Sequence, residues 1–509
     1  MLVIVYSACL ILSRGAFHFF TVFPYNVKHC IMGNVVKLLF ERGTRIVKRF
    51  FNIVSAFVLV GVVVLGLMPR SSALAAEPVM TRADFAIGAI RSLGYSTLAE
   101  QIERTEASPF TDVYDNIGYI IMAHDLGIIR GCTNYGLFTP HDTITVEEAN
   151  SILADVHIRL AASPDWVHGF YAIASFEQRG LIRDMDAVSF GWGVMEWDEI
   201  SGPHLNTMPY GGNRLSIPQG YQYIINYPRE NGATTHFSVF MDTSIGLHYM
   251  LACANSRSSA VEAILYEATR VYEGIGHSPF DGVTINFEGL RGAQSGSDFT
   301  AFLAELEARL RVIDLGLYVT VHPATIDGVY FDGYDLRAIG YLADRVILMA
   351  HDYHPRSLEG FVGTNWQRNS ALTPIAEVYR ALKVITDPVL GVQDRGKIAI
   401  AFSFPNIGWF IDENGMVTSP APVAVAMETV IRRMEQPDTQ FGWSETFRNP
   451  YIIYTTEDGS RVFLWYEDSR SVYEKLRLAR LFGVNGASVW RLGIVPNVDG
   501  WDVWGNFIY

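Results

Sequence analysis

Cysteine is scarce: there are four in 509 residues (Cys9, Cys30, Cys132 and Cys253), none in a Cys-x-x-Cys pair. That spacing suits neither a zinc site nor a disulfide framework, so the fold has to rest on packing. Charge is thin as well, at 18% of residues against 49% hydrophobic. This excludes disorder as the general state, and a chain of this length can bury more than one core. Basic charge is scarcest in the main body. The net charge is −14, yet residues 1–75 hold eight Lys/Arg against the single acid Glu41, which leaves −21 on the remainder. A body that acidic repels phosphate backbones and has no basic stripe to offset the repulsion, so nucleic acid is not expected as a partner.

Residues 1–75 have a composition of their own. A basic flank (Arg42, Arg45, Lys48, Arg49) precedes an apolar run of sixteen residues, Ile53–Met68, and a small-residue Ala73-Leu74-Ala75 site follows. These are the three parts of a secretory signal peptide, with cleavage expected after Ala75 and a secreted product at the cell wall or surface. The alternative is a retained anchor, and then a membrane partner, although the run is slightly short of the ~20 residues a span needs. Met32 opens a sequence that would make an ordinary start, so residues 1–31 read as upstream sequence.

Residues 76–162 predict a small all-α region. Thr81 with Asp84, and Thr145 with Glu148, each begin a stretch of apolar residues at helical spacing, a full capping box at Glu148 and an approximate one at Asp84. Between them an amphipathic helix with Ile117, Ile120, Ile121 and Leu126 ends at Gly127 and Gly131. The pattern is an internal repeat whose first copy is cut short. It resembles the S-layer homology module: Phe110, Asp112 and Val113 in front, Gly127-Ile128-Ile129 and Gly131 in the middle, Phe138 and Pro140 behind. The resemblance implies contact with a secondary cell-wall polymer through the Thr81-Arg82-Ala83-Asp84 turn. The alternative is a helical domain that simply packs on its neighbour.

Residues 166–509 predict an α/β fold. Eight β-rich runs, at 168–175, 185–193, 236–242, 280–288, 316–323, 343–354, 397–405 and 487–494, are separated in several places by helical stretches. Eight such units fit a (β/α)8 TIM barrel, whose chemistry sits at the C-terminal ends of its strands. An open doubly wound sheet would want a glycine-rich phosphate turn after its first strand, and none is present.

The fourth run, Asp281-Gly-Val-Thr-Ile-Asn-Phe-Glu288, carries most of the chemistry. Alternation puts Thr284, Asn286 and Glu288 on one face and Val283, Ile285 and Phe287 on the other. Three consecutive inward polar residues are expected only near the open end of a barrel. There a desolvated Glu288 would keep its proton near neutral pH and serve as a general acid; the plainer alternative is a glutamate bonded to a neighbouring loop. The sixth run ends in Met349, His351, Asp352, Tyr353 and His354, and aromatic residues Phe190, Trp192, Phe402, Phe404 and Trp490 occur near other strand ends. Aromatic faces at a barrel mouth suit the CH faces of sugar rings. His351 and His354, three apart on a strand, would face opposite sides, so no metal and no cofactor is expected.

On these residues the region resembles glycoside hydrolase family 18, near the bacterial branch of spore-wall and peptidoglycan N-acetylglucosaminidases. The family's DxxDxDxE signature falls on Asp281, Thr284, Asn286 and Glu288, its Met-x-Tyr-Asp motif on Met349, His351 and Asp352, and its last-strand tryptophan on Trp490. The resemblance implies retaining hydrolysis of a β-linked N-acetylglucosamine polysaccharide, peptidoglycan or chitin-like, in which the substrate's acetamido group is the nucleophile. It assigns Glu288, Asn286 and Asp352 to catalysis and Asp281, Thr284, Met349, His351 and Trp490 to substrate binding, with Tyr353 able to take over from His351; the aromatic faces of Trp192 and Phe190 are expected to bind substrate with them. Asn286 and Thr284 stand where the family has aspartates, and His351 where it has tyrosine. Asn286 is expected to accept the acetamido N–H without supplying charge. The reading from another class is a catalytically silent protein that uses the same cleft to bind N-acetylglucosamine.

Overall fold

The computed structural model describes residues 80–130, 136–209, 213–326, 332–497 and 501–508. The leader of residues 1–75, with its expected signal peptide, lies outside them, as do Gly131 and Cys132. Among the described residues, no helix is long and apolar enough to cross a membrane.

Four helices come first: α1 (Arg82–Ser92), α2 (Ser96–Thr105), α3 (Ile117–Asp125) and α4 (Val146–Ala161). Their starts follow from the sequence. Thr81 accepts from the Asp84 N–H, and at Thr145 the exchange is reciprocal, with Glu148 N–H donating to the Thr145 hydroxyl and Thr145 N–H to the Glu148 carboxylate. Helix α3 stops at Leu126 because Gly127 takes a left-handed turn (φ 63°).

Eight parallel strands then close into a barrel: β1 (Trp166–Tyr171), β2 (Ala187–Asp198), β4 (Thr234–Asp242), β5 (Gly282–Glu288), β6 (Gly316–Val321), β7 (Arg345–Leu348), β8 (Ile398–Ser403) and β14 (Gly486–Trp490). Closure is made by β1, which pairs with both β2 and β14. The short strand β3 (Gly202–Asn206) folds back antiparallel on the long end of β2.

Alternation fills the barrel from inside with a hydrogen-bonded layer. His168 of β1 bridges Ser488 of β14 and Ser189 of β2, each at 2.8 Å, and Ser189 meets Thr284 of β5 at 2.7 Å. Every one of these side chains is fully buried, so the layer is stable only because each polar atom has a partner. The opposite faces, Val283, Ile285 and Phe287 among them, pack under the helices. Gly282 is needed where β5 passes its neighbours: a Cβ there would come within 2.4 Å of the His236 ring and 2.5 Å of the Gly316 carbonyl.

Between β8 and β14 the chain makes a second sheet of five antiparallel strands, β9 (Ile407–Ile411), β10 (Val423–Ala424), β11 (Gln440–Ser444), β12 (Asn449–Thr455) and β13 (Arg461–Trp465), in the order β10-β9-β13-β12-β11. No element was expected there. The signals were the turns Asn414-Gly415 and Asp458-Gly459, both glycines at positive φ and both flanked by apolar runs.

The N-terminal helices dock on the outside of the barrel. Glu106 and Asp125 converge on Lys383 of the helix Ile375–Ile385 at 2.6 and 2.8 Å, Tyr379 donates to Asp125 at 2.5 Å, and Arg477 donates to the Leu93 carbonyl at 2.7 Å. Burial opposes the charge on Asp125, but His124, Lys383 and Tyr379 together hold its carboxyl below the ordinary range. Replacing Lys383 with Met leaves two carboxylates facing each other. It should destabilise the protein by about 2–3 kcal/mol and release the helical region to proteolysis first, measured by denaturant melts and limited digestion.

Candidate active site

Strand β5 delivers Glu288 to the C-terminal rim of the barrel, in register with Asp242 at the end of β4. Its side chain is 31% exposed. Asn286 lies one step deeper, almost fully buried. Its amide donates to Glu288 Oε1 at 3.1 Å while its carbonyl oxygen accepts the Thr320 hydroxyl at 2.5 Å. Thr320 is thus a site residue that sequence reasoning missed, marked only by its inward parity on β6. His322, at the end of that strand, was missed too; its Nε2 is 3.7 Å from Glu288 Oε2.

Burial pushes the Glu288 carboxyl above its ordinary value near 4.5, and the charges of Asp242 and Asp352 push the same way. The Asn286 hydrogen bond and His351 oppose the shift without cancelling it. Across the mouth, Asp352 moves oppositely: burial resists ionisation, but His351, His354 and the Ser403 hydroxyl hold it below its ordinary value. His351 Nδ1 lies 3.0 Å from Asp352, and its Nε2 is buried with no hydrogen-bond partner among the described residues. Burial, His351 and Arg291 together depress His322 to about 4, so at neutral pH it is an uncharged imidazole beside the acid.

The other expected site residues divide. Trp490 packs edge-on to Phe170 at 4.9 Å and roofs the barrel's inner core; Met349 follows β7, half-buried. Asp281 is corrected. It precedes β5 at the closed end of the barrel, roughly 20 Å of extended strand from Glu288, where it binds Arg229 and the Thr235 N–H and hydroxyl. Thr284 is corrected as well, being sealed in the hydrogen-bonded layer below Asn286.

Phe190 and Trp192 are fully buried on the outer side of β2, tilted against each other and edge-on to Phe280 beneath the helices, because the inward residue between strand start and bulge is Ser189. Phe402 likewise packs on Phe507, away from the mouth. Tyr353 packs against the hydrophobic core and feels Glu377 rather than the acid. His351 and His354 lie in the loop beyond β7, so strand alternation does not govern them.

In the N-terminal region, Thr81 bonds Asp84, and Arg82 donates to the carbonyls of Phe138 and Arg130. Among the described residues, no cluster of three or more His, Cys, Asp or Glu side chains could hold a metal ion.

Two aromatic residues at the rim were not anticipated. Trp197, on the extension of β2, stacks at 5.0 Å and 23° on Tyr249, which is 55% exposed at the helix Leu247–Ala252. Beside them a cavity of about 460 Å3 is lined by Thr243, His248, Gly289, Leu290, Arg291 and Ser295, immediately next to Glu288.

A closed parallel barrel with one carboxyl group pushed above its ordinary value at its rim, a second held below it opposite and an exposed aromatic stack beside them fits a glycoside hydrolase. The chain belongs to glycosyl hydrolases family 18, whose model matches residues 231–494. The cortical fragment-lytic enzyme of Bacillus subtilis is 25% identical over 218 residues, 42% of this chain and 47% of that protein. The chain thus spans about half the length of the curated relatives it matches. Among solved structures, the spore cortex-lytic enzyme SleL of Bacillus cereus matches with a TM-score of 0.50 at 16% identity, covering 76% of this chain and 83% of that one. A chitinase from Chromobacterium violaceum gives 0.50 at 17%, covering 67% and 97%. Both share the fold.

Because the folded state holds the Glu288 proton more tightly than the unfolded chain, stability falls as pH rises from about 4.5 through the raised value. Glu288→Gln removes that cost while keeping an acceptor for Asn286. Its melting temperature should exceed that of the unmutated protein at pH 7 and converge with it near pH 4; a constant difference across pH would show that the site does not strain the carboxylate.

Proposed function

We propose that the protein hydrolyses a β-linked N-acetylglucosamine polymer of the cell wall, with retention and without a protein nucleophile. The observation that carries this reading is the opposite displacement of two carboxyl groups at one barrel mouth, which separates an acid from an anion. Glu288 protonates the leaving oxygen, and the acetamido carbonyl of the substrate attacks the anomeric carbon. With both ring nitrogens protonated, His351 donates from Nε2 to that carbonyl and fixes it for attack, while its Nδ1–H is held by Asp352. Asp352 holds His351 and, still ionised, faces the positive ring that forms. Asn286 orients Glu288 through its amide, so its carbonyl, already taken by Thr320, has at most one lone pair left for the acetamido N–H.

That commitment of Asn286 is the observation that favours the other reading, a cleft that binds N-acetylglucosamine without cleaving it. The raised Glu288 favours the enzyme, since binding alone gains nothing from a strained acid. The names of the cortical fragment-lytic relatives favour a peptidoglycan-derived substrate. The proposed setting is outside the cell: export by the leader, with the helical region as an S-layer homology-like module touching a wall polymer through Thr81, Arg82 and Asp84. Arg82 would then have to exchange the carbonyls it now holds for the polymer.

The purified protein is incubated with wall sacculi and with chitin, and released sugars are identified by mass spectrometry. Products with N-acetylglucosamine reducing ends are expected, and Glu288→Gln should lower turnover about 10²- to 10⁴-fold; unchanged turnover in that variant would remove the proposed acid. Asn286→Asp adds charge beside both the acid and the positive intermediate. It should raise turnover, by at most the roughly 10²- to 10³-fold that one preorganised contact supplies, and shift the alkaline limb of the pH profile upward. A lower turnover with an unmoved limb would mean that the carboxamide is not a weakened helper.

A further inference from the structure

The inward face of β4 holds an aromatic side chain that neither the core nor the acid's immediate surroundings account for. Strands β4 and β5 run in register, with Ser238 beside Thr284, Phe240 beside Asn286 and Asp242 beside Glu288. These three β4 side chains therefore share the inward face of the barrel. Their neighbours Val239 and Met241, on the outer side, are fully buried in the core. Ser238 is buried too, whereas Phe240 is only partly so. The next strand repeats the pattern: past the bulge between Gly191 and Gly193, Val194 of β2 pairs with Phe240 and is again only partly buried. Among the described residues, neither Phe240 nor Val194 belongs to any apolar cluster of the core. Two apolar side chains thus face the mouth beside Asn286, one and two strand spacings of about 4.8 Å away from it.

Strand order fixes which side of the mouth they serve. Around the barrel the strands follow one another as β2, β4, β5, β6 and β7. Glu288 ends β5, and His351 and Asp352 lie beyond β7, so the acid stands between that pair and the Phe240–Val194 face. In the proposed reaction the ring that carries the attacking acetamido group lies toward His351 and Asp352. The oxygen that Glu288 protonates joins it to the ring that leaves, and the leaving ring then extends over β4 and β2. We propose that Phe240 and Val194 are specificity-determining residues that bind this departing sugar, taking the CH face of its pyranose ring. The inference rests on the glycosidase reading and adds the leaving-group side to it. A flat aromatic ring beside a branched aliphatic side chain offers a sugar face dispersion and desolvation without asking for a hydrogen bond. When the anomeric C–O bond breaks, its electron pair stays with the departing oxygen, the Glu288 proton joins that oxygen, and the sugar leaves the shelf as a free alcohol.

Two substrates that differ only in what leaves test it: an N-acetylglucosamine oligomer, whose leaving group is a sugar, and the β-fluoride of the same glycone, whose leaving group has no ring. Phe240→Ala should lower kcat/KM on the oligomer about 10-fold and leave the fluoride within about twofold of the unmutated protein. Phe240→Leu, which keeps apolar surface and loses the flat face, should fall between. Val194→Ala should lower kcat/KM on the oligomer alone, by a smaller factor. A loss of similar size on both substrates overturns the inference and leaves the glycosidase intact, because Phe240 then acts only through the fold or through Asn286. No loss on either substrate, or a loss on the fluoride alone, overturns it as well. If the unmutated protein releases neither sugar nor fluoride, the glycosidase reading itself fails and the inference falls with it.

Discussion

Glu288 sits where desolvation and hydrogen bonding oppose each other. Burial at the rim of the barrel favours the neutral acid, and the Asn286 amide favours the anion. Burial wins because the charges added nearby, Asp242 and Asp352, act in its favour, and because the adjacent imidazole, His322, is itself kept neutral by burial and by Arg291. A protonated His322 at 3.7 Å would pull the carboxyl proton off at lower pH. The neutral state of one imidazole is therefore part of what lets the Glu288 carboxyl stay above its ordinary value.

That balance needs a rigid floor. Below Asn286 the barrel interior is small and polar, and His168, Ser189, Thr284 and Ser488 satisfy one another. Thr320 ties Asn286 to the next strand, so the amide that aims at Glu288 cannot rotate without leaving a buried hydroxyl unpaired. Outside, the docked helices grip the helix Ile375–Ile385 by Lys383, and the buried pair Lys475–Glu467 fastens the second sheet to the helix Ser469–Leu481. Lys383 lies between the carboxylates of Glu106 and Asp125, and Lys475 between the Glu467 carboxylate and the Arg448 carbonyl. Losing either partner would strand a buried charge, which makes such joints specific even where they add little net stability.

The eight barrel strands and the inward face of β5 were legible in the sequence because a period of two is hard to mistake when Val283, Ile285 and Phe287 alternate with three polar residues. What failed was inference from residue type without parity. Phe190 and Trp192 have the chemistry of a sugar platform, but they are on the outer side of the pleat from Ser189, and that side belongs to the helices. Asp281 belongs to the same motif as Glu288, yet seven residues of strand separate the two ends of a barrel. The platform that does reach the rim, Trp197 with Tyr249, joins a strand extension to a helix some fifty residues later, a pairing no local pattern announces. The second sheet was hidden for another reason: its strands are short and its signals, Asn-Gly and Asp-Gly turns, are local, while its place between β8 and β14 is a matter of topology.

The carboxamide at position 286 divides two tasks that one aspartate would perform together. An anion there would raise the Glu288 pKa by repulsion and also face the positive charge that develops on the sugar. A carboxamide does neither, and by donating to Glu288 it works slightly against the first. The first task therefore falls to burial and to Asp242, neither of which depends on a charge beside the sugar. In the proposed mechanism the second would fall to Asp352, which His351, His354 and Ser403 hold below its ordinary value. With its carbonyl bound to Thr320 and its amide to Glu288, Asn286 becomes a positioning residue. In the proposed mechanism the anion is then confined to one side of the ring, so geometry across the mouth, between β5 and the loop after β7, would decide how much catalysis the site retains.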